Sequence, residues 1–352
     1  MKIRTVNKDQ MNAAIADSVS AFHKYKKSSR FARSLLLKEM ADAISARRAE
    51  IISVMGSEAG KPEFMADIEV TRAIVTFTYA SEETKRFGGE IMPLDIDAGG
   101  RAYDPVQIHW VPRGPVFGIT PFNFPLNLAA HKVAPALAAG VSILIKASHQ
   151  APSCAAILED IFKTAAKSVT AKTSEEIPTA TFQAVMCENN VAEIGVVDPR
   201  MTTMSFTGSP KVGFALQKLA IGKKVCLELG GNAALIVCKD GDLKRAAARA
   251  AFGGFAYAGQ SCISVQRIFA QKDCYEEFKK LLLEETAKVK VGAVTEKGVI
   301  VGPMIDSGNA DRVLAWVDEA VKAGGKLLAG GKRTGDTITP VVIEGAPHST
   351  KV

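Results

Sequence analysis

The chain has 352 residues, 47% of them hydrophobic and 23% charged, with a formal net charge of +7; that is core enough for two domains and excludes a disordered chain. Its basic residues are interleaved with acidic ones and form no tract with aromatics, so a nucleic-acid partner is not expected. No run reaches the roughly 20 apolar residues of a membrane span, and the first residues lack a signal-peptide core, so no membrane partner is expected and the chain reads as cytoplasmic.

In chain order, Leu36, Met40, Ile44, Ile51 and Met55 recur on one helical face, and Gly56, Gly60 and Pro62 then punctuate the pattern. A second helical stretch runs to about Arg86. Gly88, Gly89, Gly99 and Gly100 next bracket two alternating runs that read as a β-hairpin arm. From Gly114 strands alternate with helices, which implies a parallel sheet flanked by helices. The expected strands are Val116 to Thr120, Ser142 to Lys146, Phe182 to Cys187, Thr203 to Phe206 and Val225 to Leu229; the expected helices are Leu126 to Ala139, Ala151 to Ala166 and Lys211 to Ala220. The piece AKSVTAKTSEEIPTA reads as a polar surface loop. After ELGGN the pattern restarts with a strand at Ala234 to Cys238, a helix from Asp242 to about Tyr257, a strand at Val265 to Ala270 and a helix at Tyr275 to Val289. The tail GDTITPVVIEGAPHSTKV shows no closing element and reads as a longer chain cut short.

Six cysteines, Cys154, Cys187, Cys226, Cys238, Cys262 and Cys274, form no C-x-x-C pair and no zinc spacing with histidine, so no metal is expected. Cys262 follows a run of small residues in GFAYAGQSC and stands open as a packed thiol or a nucleophile. FTGSPKVG puts Gly208 and Ser209 at a strand-to-helix turn, where free N–H groups hold a phosphate or simply make the turn. In PFNFP, Asn123 caps structure or aims its amide at a ligand. Glu228 in LELGG is either a carboxylate raised by an apolar setting, suited to a general base, or an exposed strand end. Separately, each has a plainer structural reading.

Their order and spacing together resemble the NAD(P)-dependent aldehyde dehydrogenase superfamily: PFNFP, the strand-end lysine of LIKAS, FTGSPKVG, LELGG and GQSC, with Cys262 34 residues after Glu228. SEAGKP, Glu69 and Arg72 extend the resemblance to the start of the chain. It implies an α/β fold, with a Rossmann-type cofactor domain at 1–87 and 113–228, an oligomerisation hairpin at 88–112, and an α/β catalytic domain at 229–352 that is incomplete at its C-terminus. It implies assembly as a homodimer or homotetramer. It further implies that Cys262 attacks the aldehyde carbon, that its own backbone N–H and the Asn123 amide stabilise the oxyanion, and that Glu228 activates the water that hydrolyses the resulting thioester. The cofactor, NAD or NADP, falls to Lys146 at the adenosine ribose and to Gly208 and Ser209 at the pyrophosphate, with Thr120, Pro121, Phe122, Ser148, Phe206, Val212, Leu229 and Gly230 lining its site. Phe124, His131, Ser261 and Ile263 fall on the substrate side.

The sequence departs from the family pattern in four respects. Ala147 and Ala234 replace prolines, and His149 stands where NAD-preferring members carry an acid that opposes a 2′-phosphate. The sequence also stops before the family's E-x-F-G-P motif. The run FNFPLNLAAHKVAPALAAG is similar to branches handling lactaldehyde, glyceraldehyde 3-phosphate or phosphonoacetaldehyde, so the expected substrate is a small hydroxylated or anionic aldehyde. The alternatives are a CoA-acylating aldehyde dehydrogenase, disfavoured by Glu228, and a non-catalytic or truncated member.

Overall fold

The computed structural model describes residues 2–352. The chain begins with strand β1 (Arg4–Thr5) and helices α1 (Lys8–Tyr25), α2 (Arg30–Ala46), α3 (Arg48–Ala59) and α4 (Glu63–Arg86), followed by the short strands β2 (Glu90–Met92) and β3 (Val106–Ile108). It then alternates through β4 (Val116–Ile119), α5 (Asn127–Ala138), β5 (Ile143–Lys146), α6 (Ser153–Thr173), β6 (Phe182–Met186), α7 (Asn189–Val197), β7 (Thr203–Gly208), α8 (Pro210–Leu219) and β8 (Lys224–Leu229). The remainder is β9 (Ala233–Val237), α9 (Leu243–Phe255), β10 (Val265–Ala270), α10 (Tyr275–Ala287), α11 (Ser307–Lys322), β11 (Lys326–Ala329), β12 (Arg333–Thr334), β13 (Thr337–Ile338) and β14 (Val342–Glu344).

The chain divides into two compact units. The first holds the chain up to Arg47 with Val70–Thr207 and Lys211–Glu228; the second holds Arg48–Glu69, Gly208–Pro210 and Leu229–Val352. Residues 48–69, read from sequence as part of the cofactor domain, therefore cluster with the C-terminal unit.

In the first unit a six-stranded sheet has the order β1-β6-β5-β4-β7-β8. Strands β1, β6, β5, β4 and β7 run parallel, with Ile119 level with both Lys146 and Phe206. Strand order reverses at β4: β5 and β6 are added on one side, β7 and β8 on the other. In such sheets ligands bind beyond the carboxyl ends of the strands at the point of reversal. Every residue of β5 is buried, as expected of a central parallel strand covered on both faces. Phe117 on β4 is also fully buried; removing its ring would cost about 3–5 kcal/mol.

Local signals explain the helix limits. Asn7 and Gln10 form a reciprocal capping box at the start of α1, with bonds of 3.0 and 2.9 Å. Ser29 caps α2, Asp242 caps α9 and Asp306 caps α11. The apolar stripe read as one helix from residue 30 to 55 is two helices, broken at Arg47, yet all five of its residues are fully buried. Helix α6 overruns its expected end and reaches Thr173, because Val169 and the preceding alanines still face the core; the polar loop shrinks to the residues after Ser174, whose left-handed φ of 59° stops the helix. Helices α1, α7 and α11 and strands β1, β11, β12, β13 and β14 are additional to the sequence reading. Strands β2 and β3 pair antiparallel, as the arm required, and carry exposed Ile91; Ile96, Trp110 and Val111 beside them are exposed too.

In the second unit β9 and β10 are parallel neighbours, and helices α9 and α10 bury Val237, Ala247, Ala250, Ala251, Phe278 and Leu282 in one core. The C-terminal stretch does acquire structure: β14 pairs antiparallel with β11, and Glu344 accepts hydrogen bonds from Tyr275 at 2.8 Å and Lys279 at 2.7 Å.

Candidate active site

The first unit gathers its site residues at the carboxyl ends of β4, β5 and β8. Thr120 is buried just beyond β4 and donates its N–H to Lys146 O at 3.1 Å, locking the two strand ends together. The segment Pro121, Phe122, Asn123 and Phe124 leads half-buried into α5, and Asn123 Oδ1 accepts from the Phe124 N–H at 3.0 Å, which leaves the amide nitrogen of Asn123 as the donating end. Lys146 closes β5 with its side chain 7% exposed; burial pushes its amine down, opposed by the nearby Cys187 and Glu188. Beyond it Ser148 is half-buried. His149 turns its Nε2 to donate to Cys187 O at 2.8 Å. No carboxylate stands at that position.

Glu228 lies exposed near the end of β8, so of the two settings open to this carboxylate the structure shows the exposed strand end. The alternation of β8 explains it: Lys224, Cys226 and Glu228 share the open face while Val225, Leu227 and Leu229 turn inward. Two basic side chains, Lys132 and His131, accompany this face electrostatically. Lys132 on α5 is 7% exposed and donates to Ser205 Oγ at 2.9 Å and Thr207 Oγ1 at 2.8 Å. Burial pushes its amine down to about 8, against the pull of Cys226 and Glu228. Gly118 makes this possible, since a Cβ there would come within 3.4 Å of the Lys132 stem and 2.4 Å of Ile145 Cδ1. Its neighbour His131 is exposed and is pushed down by desolvation and then by the charges of Arg72 and Lys132, with Glu228 opposing. The lowered pKa favours the neutral, hydrogen-bonding form of the His131 ring.

Sequence reasoning missed Lys132. Its signal was a lysine inside the apolar run AAHKVAPALAAG, on a helix where Ala129, Val133 and Ala136 are all buried.

The second unit presents the thiol. Cys262 is exposed, which removes the packed-core reading. It occupies the second position of a β-turn closed by the Ser264 N–H on Ser261 O at 3.1 Å; Ser261 is half-buried and Ile263 is 74% exposed. Buried Ser264 donates to Gly254 O at 3.1 Å, tying the turn to the end of α9. Ahead of the thiol, Tyr257, Ala258 and Gly259 are left-handed in succession, with φ of 55°, 54° and 71°. For the two non-glycine residues this costs about 1–3 kcal/mol each. Helix α9 thus ends at Phe255, two residues before its expected end. The backbone of Gly231 packs against the Cys262 carbonyl oxygen, 3.5 Å from where a Cβ would lie. Gly208 is half-buried at the end of β7, Ser209 is exposed ahead of α8, and Pro210 lies 3.8 Å from the Cβ position of Gly230. In the remaining positions Phe206 is buried, Leu229 is half-buried, and Gly230 and Val212 are exposed. Among the described residues no three His, Cys, Asp or Glu side chains are grouped to hold a metal.

Comparison with known proteins bears on all of this. The model of the aldehyde dehydrogenase family matches residues 1–352. A 3-sulfolactaldehyde dehydrogenase of Priestia aryabhattai is 36% identical over 354 aligned residues, covering 100% of this chain and 71% of that protein. Among solved structures, aldehyde dehydrogenase 21 of Physcomitrella patens, in complex with its reaction product succinate, superposes with a TM-score of 0.91 at 36% identity, over 98% of this chain and 70% of that one. The glyceraldehyde-3-phosphate dehydrogenase GapN of Methanocaldococcus jannaschii, complexed with NADP, gives 0.90 at 34% identity, over 97% and 72% respectively.

Proposed function

Because the chain belongs to the aldehyde dehydrogenase family, we propose that it oxidises a small anionic or hydroxylated aldehyde to the carboxylic acid with NADP or NAD, using Cys262 as nucleophile. The observation that carries the reading is the exposed Cys262 thiol, set in a closed turn behind a strained, anchored segment rather than packed as core. The Cys262 thiolate adds to the aldehyde carbon, and the new alkoxide is stabilised by the Cys262 backbone N–H and the Asn123 amide. Loss of hydride then leaves a thioester on Cys262. Glu228 takes a proton from water, whose oxygen adds to the thioester carbon; the acid leaves and the thiolate returns.

The residues present suit a nicotinamide dinucleotide: the lysine amine at the end of β5, the small Gly208 and Ser209 ahead of α8, and His149 in place of a carboxylate. When bound, it supplies the hydride acceptor. His149 sets no carboxylate against a 2′-phosphate, which favours NADP. Arg72 and His131 together suit a carboxylate, phosphate or sulfonate on the aldehyde, Arg72 by charge and His131 by a neutral hydrogen bond. The relatives named for sulfolactaldehyde and glyceraldehyde 3-phosphate support the same substrate class. Ile91, Ile96, Trp110 and Val111, exposed on the arm, support pairing of copies as a homodimer or homotetramer. No helix among the described residues is long and apolar enough to cross a membrane, and we place the protein in the cytoplasm on its cysteine usage.

The test is reduction of NADP and of NAD, followed at the nicotinamide absorbance across a panel of neutral, carboxylated, phosphorylated and sulfonated aldehydes. Turnover abolished by Cys262→Ala supports the reading; turnover undiminished in that variant overturns it.

A further inference from the structure

Lys61 and Glu69 form an ion pair with both side chains fully buried in the second unit. Lys61 follows α3 and Glu69 lies in the first turns of α4. A buried ion pair is poor value for stability alone, since apolar residues of similar size commonly do as well. This pair has a third member: Lys61 Nζ sits 4.6 Å from the ring centroid of fully buried Tyr257. The same Tyr257 donates its hydroxyl to Ala59 O at 2.8 Å and its N–H to Ile300 O at 2.9 Å. The ring is thus gripped on its face, at its tip and at its backbone.

Tyr257 is also the first of the three left-handed residues before the thiol. Strained backbone of this kind persists only where its surroundings over-determine it. The grip passes directly to Cys262. Gln260 donates its N–H to Tyr257 O at 3.1 Å and accepts on Oε1 from the Ile305 N–H at 3.0 Å, and the Ser261 N–H bonds Gly259 O at 2.8 Å. We propose that Lys61 and Glu69 are positioning residues for the nucleophile: their pair clamps Tyr257 and thereby holds the left-handed turn that presents the Cys262 thiol. The proposal rests on the reading of Cys262 as nucleophile.

The experiment compares the full chain with Lys61→Met, Glu69→Gln, Tyr257→Phe, Ala258→Gly and the Lys61→Met/Ala258→Gly pair. It measures kcat and KM for the aldehyde, Tm, and iodoacetamide alkylation of Cys262 by peptide mass mapping, with exposed Cys226 and Cys238 as internal references. In Lys61→Met and Glu69→Gln, kcat is expected to fall about 10–100-fold with KM nearly constant, and the Cys262 alkylation rate to change several-fold relative to both references. Ala258→Gly alone leaves activity within about twofold but restores several-fold activity to Lys61→Met, because glycine adopts a positive φ without steric cost. A purely structural pair gives no such rescue. Should Lys61→Met fail to fold, Glu69→Gln decides, since it keeps the size of the side chain and removes the charge that holds Lys61. Unchanged kcat and unchanged relative alkylation of Cys262 in the folded variants overturn the proposal, as does a uniform change at all three cysteines without rescue. Failure of the nucleophile reading is separately visible as retained turnover in Cys262→Ala, while relative alkylation still judges the clamp.

Discussion

Lys132 donates from Nζ to Thr207 Oγ1 at 2.8 Å, so a helix that starts beside Asn123 is pinned to the strand that leads to Gly208. The cost of burying that amine gives a pH signature. Its pKa in the folded chain is about 8, below the ordinary 10.5. Below the folded value, both folded and unfolded chains hold the proton and the penalty is constant; between the two values the unfolded chain holds more, so stability rises with pH and then levels off. The wild type is expected to gain on Lys132→Met by up to about 3 kcal/mol across that window, measured by urea unfolding at several pH values. A difference flat in pH would contradict the depressed pKa.

On the proposed reading, Arg72 and His131 divide the work of anion recognition. Arg72→Ala should raise KM for a sulfonated or phosphorylated aldehyde by about tenfold or more while leaving a neutral aldehyde nearly untouched, the loss of a charge-assisted bond. His131→Ala should have a smaller effect, insensitive to salt, because the lowered pKa favours its neutral ring. Rates for charged and neutral aldehydes that fall equally in both variants would show that these residues serve structure.

Replacing His149 with Glu should shift the NADP to NAD ratio of kcat/KM toward NAD by about tenfold or more. A carboxylate there accepts bonds from ribose hydroxyls and repels a 2′-phosphate. Steady-state rates with each cofactor measure it. An unchanged ratio would place discrimination elsewhere.

Glu228→Gln should slow turnover by about 10²–10³-fold, within the range of general-base contributions, while preserving a first-turnover burst of reduced cofactor with the acyl group held on Cys262. Rapid mixing and mass analysis of the protein detect both. If the wild type instead needs coenzyme A to turn over, the CoA-acylating alternative holds and hydrolysis falls.

Exposed apolar side chains on the arm predict a concentration-dependent assembly. Ile91→Asp with Ile96→Asp should shift the species seen by analytical ultracentrifugation toward monomer with little loss of Tm, because both side chains are more than two-thirds exposed in the single chain, at 72% and 83%. An unaltered sedimentation profile would assign assembly to another surface.

Much of this was legible in the sequence because it follows from local chemistry. The strand at Val265–Ala270 and the paired arm strands fall where alternation put them, and capping residues such as Asp242 mark helix starts. What escaped depends on tertiary context. The end of α6 was hidden because lysines and threonines on its solvent face mask Val169 on the other. The setting of Glu228 stayed open between apolar and exposed because its sequence neighbours Leu227 and Leu229 are apolar but lie on the opposite face of the strand. The grip of Lys61 on Tyr257 joins residues far apart in sequence, and no window of periodicity spans them.

That separation matters during synthesis. The Tyr257 hydroxyl reaches back 198 positions to the carbonyl of Ala59. At ribosomal rates of about 5–20 residues per second, the segment around Lys61 waits about 10–40 s for its partner to be made. Through that interval a lysine and a glutamate destined for a dry interior remain in water with their nearest helix only half clothed. The N-terminal Rossmann-like sheet has all its strands by Leu229; the turn that carries Cys262 is completed later, against Ala59 and Lys61, which are made early.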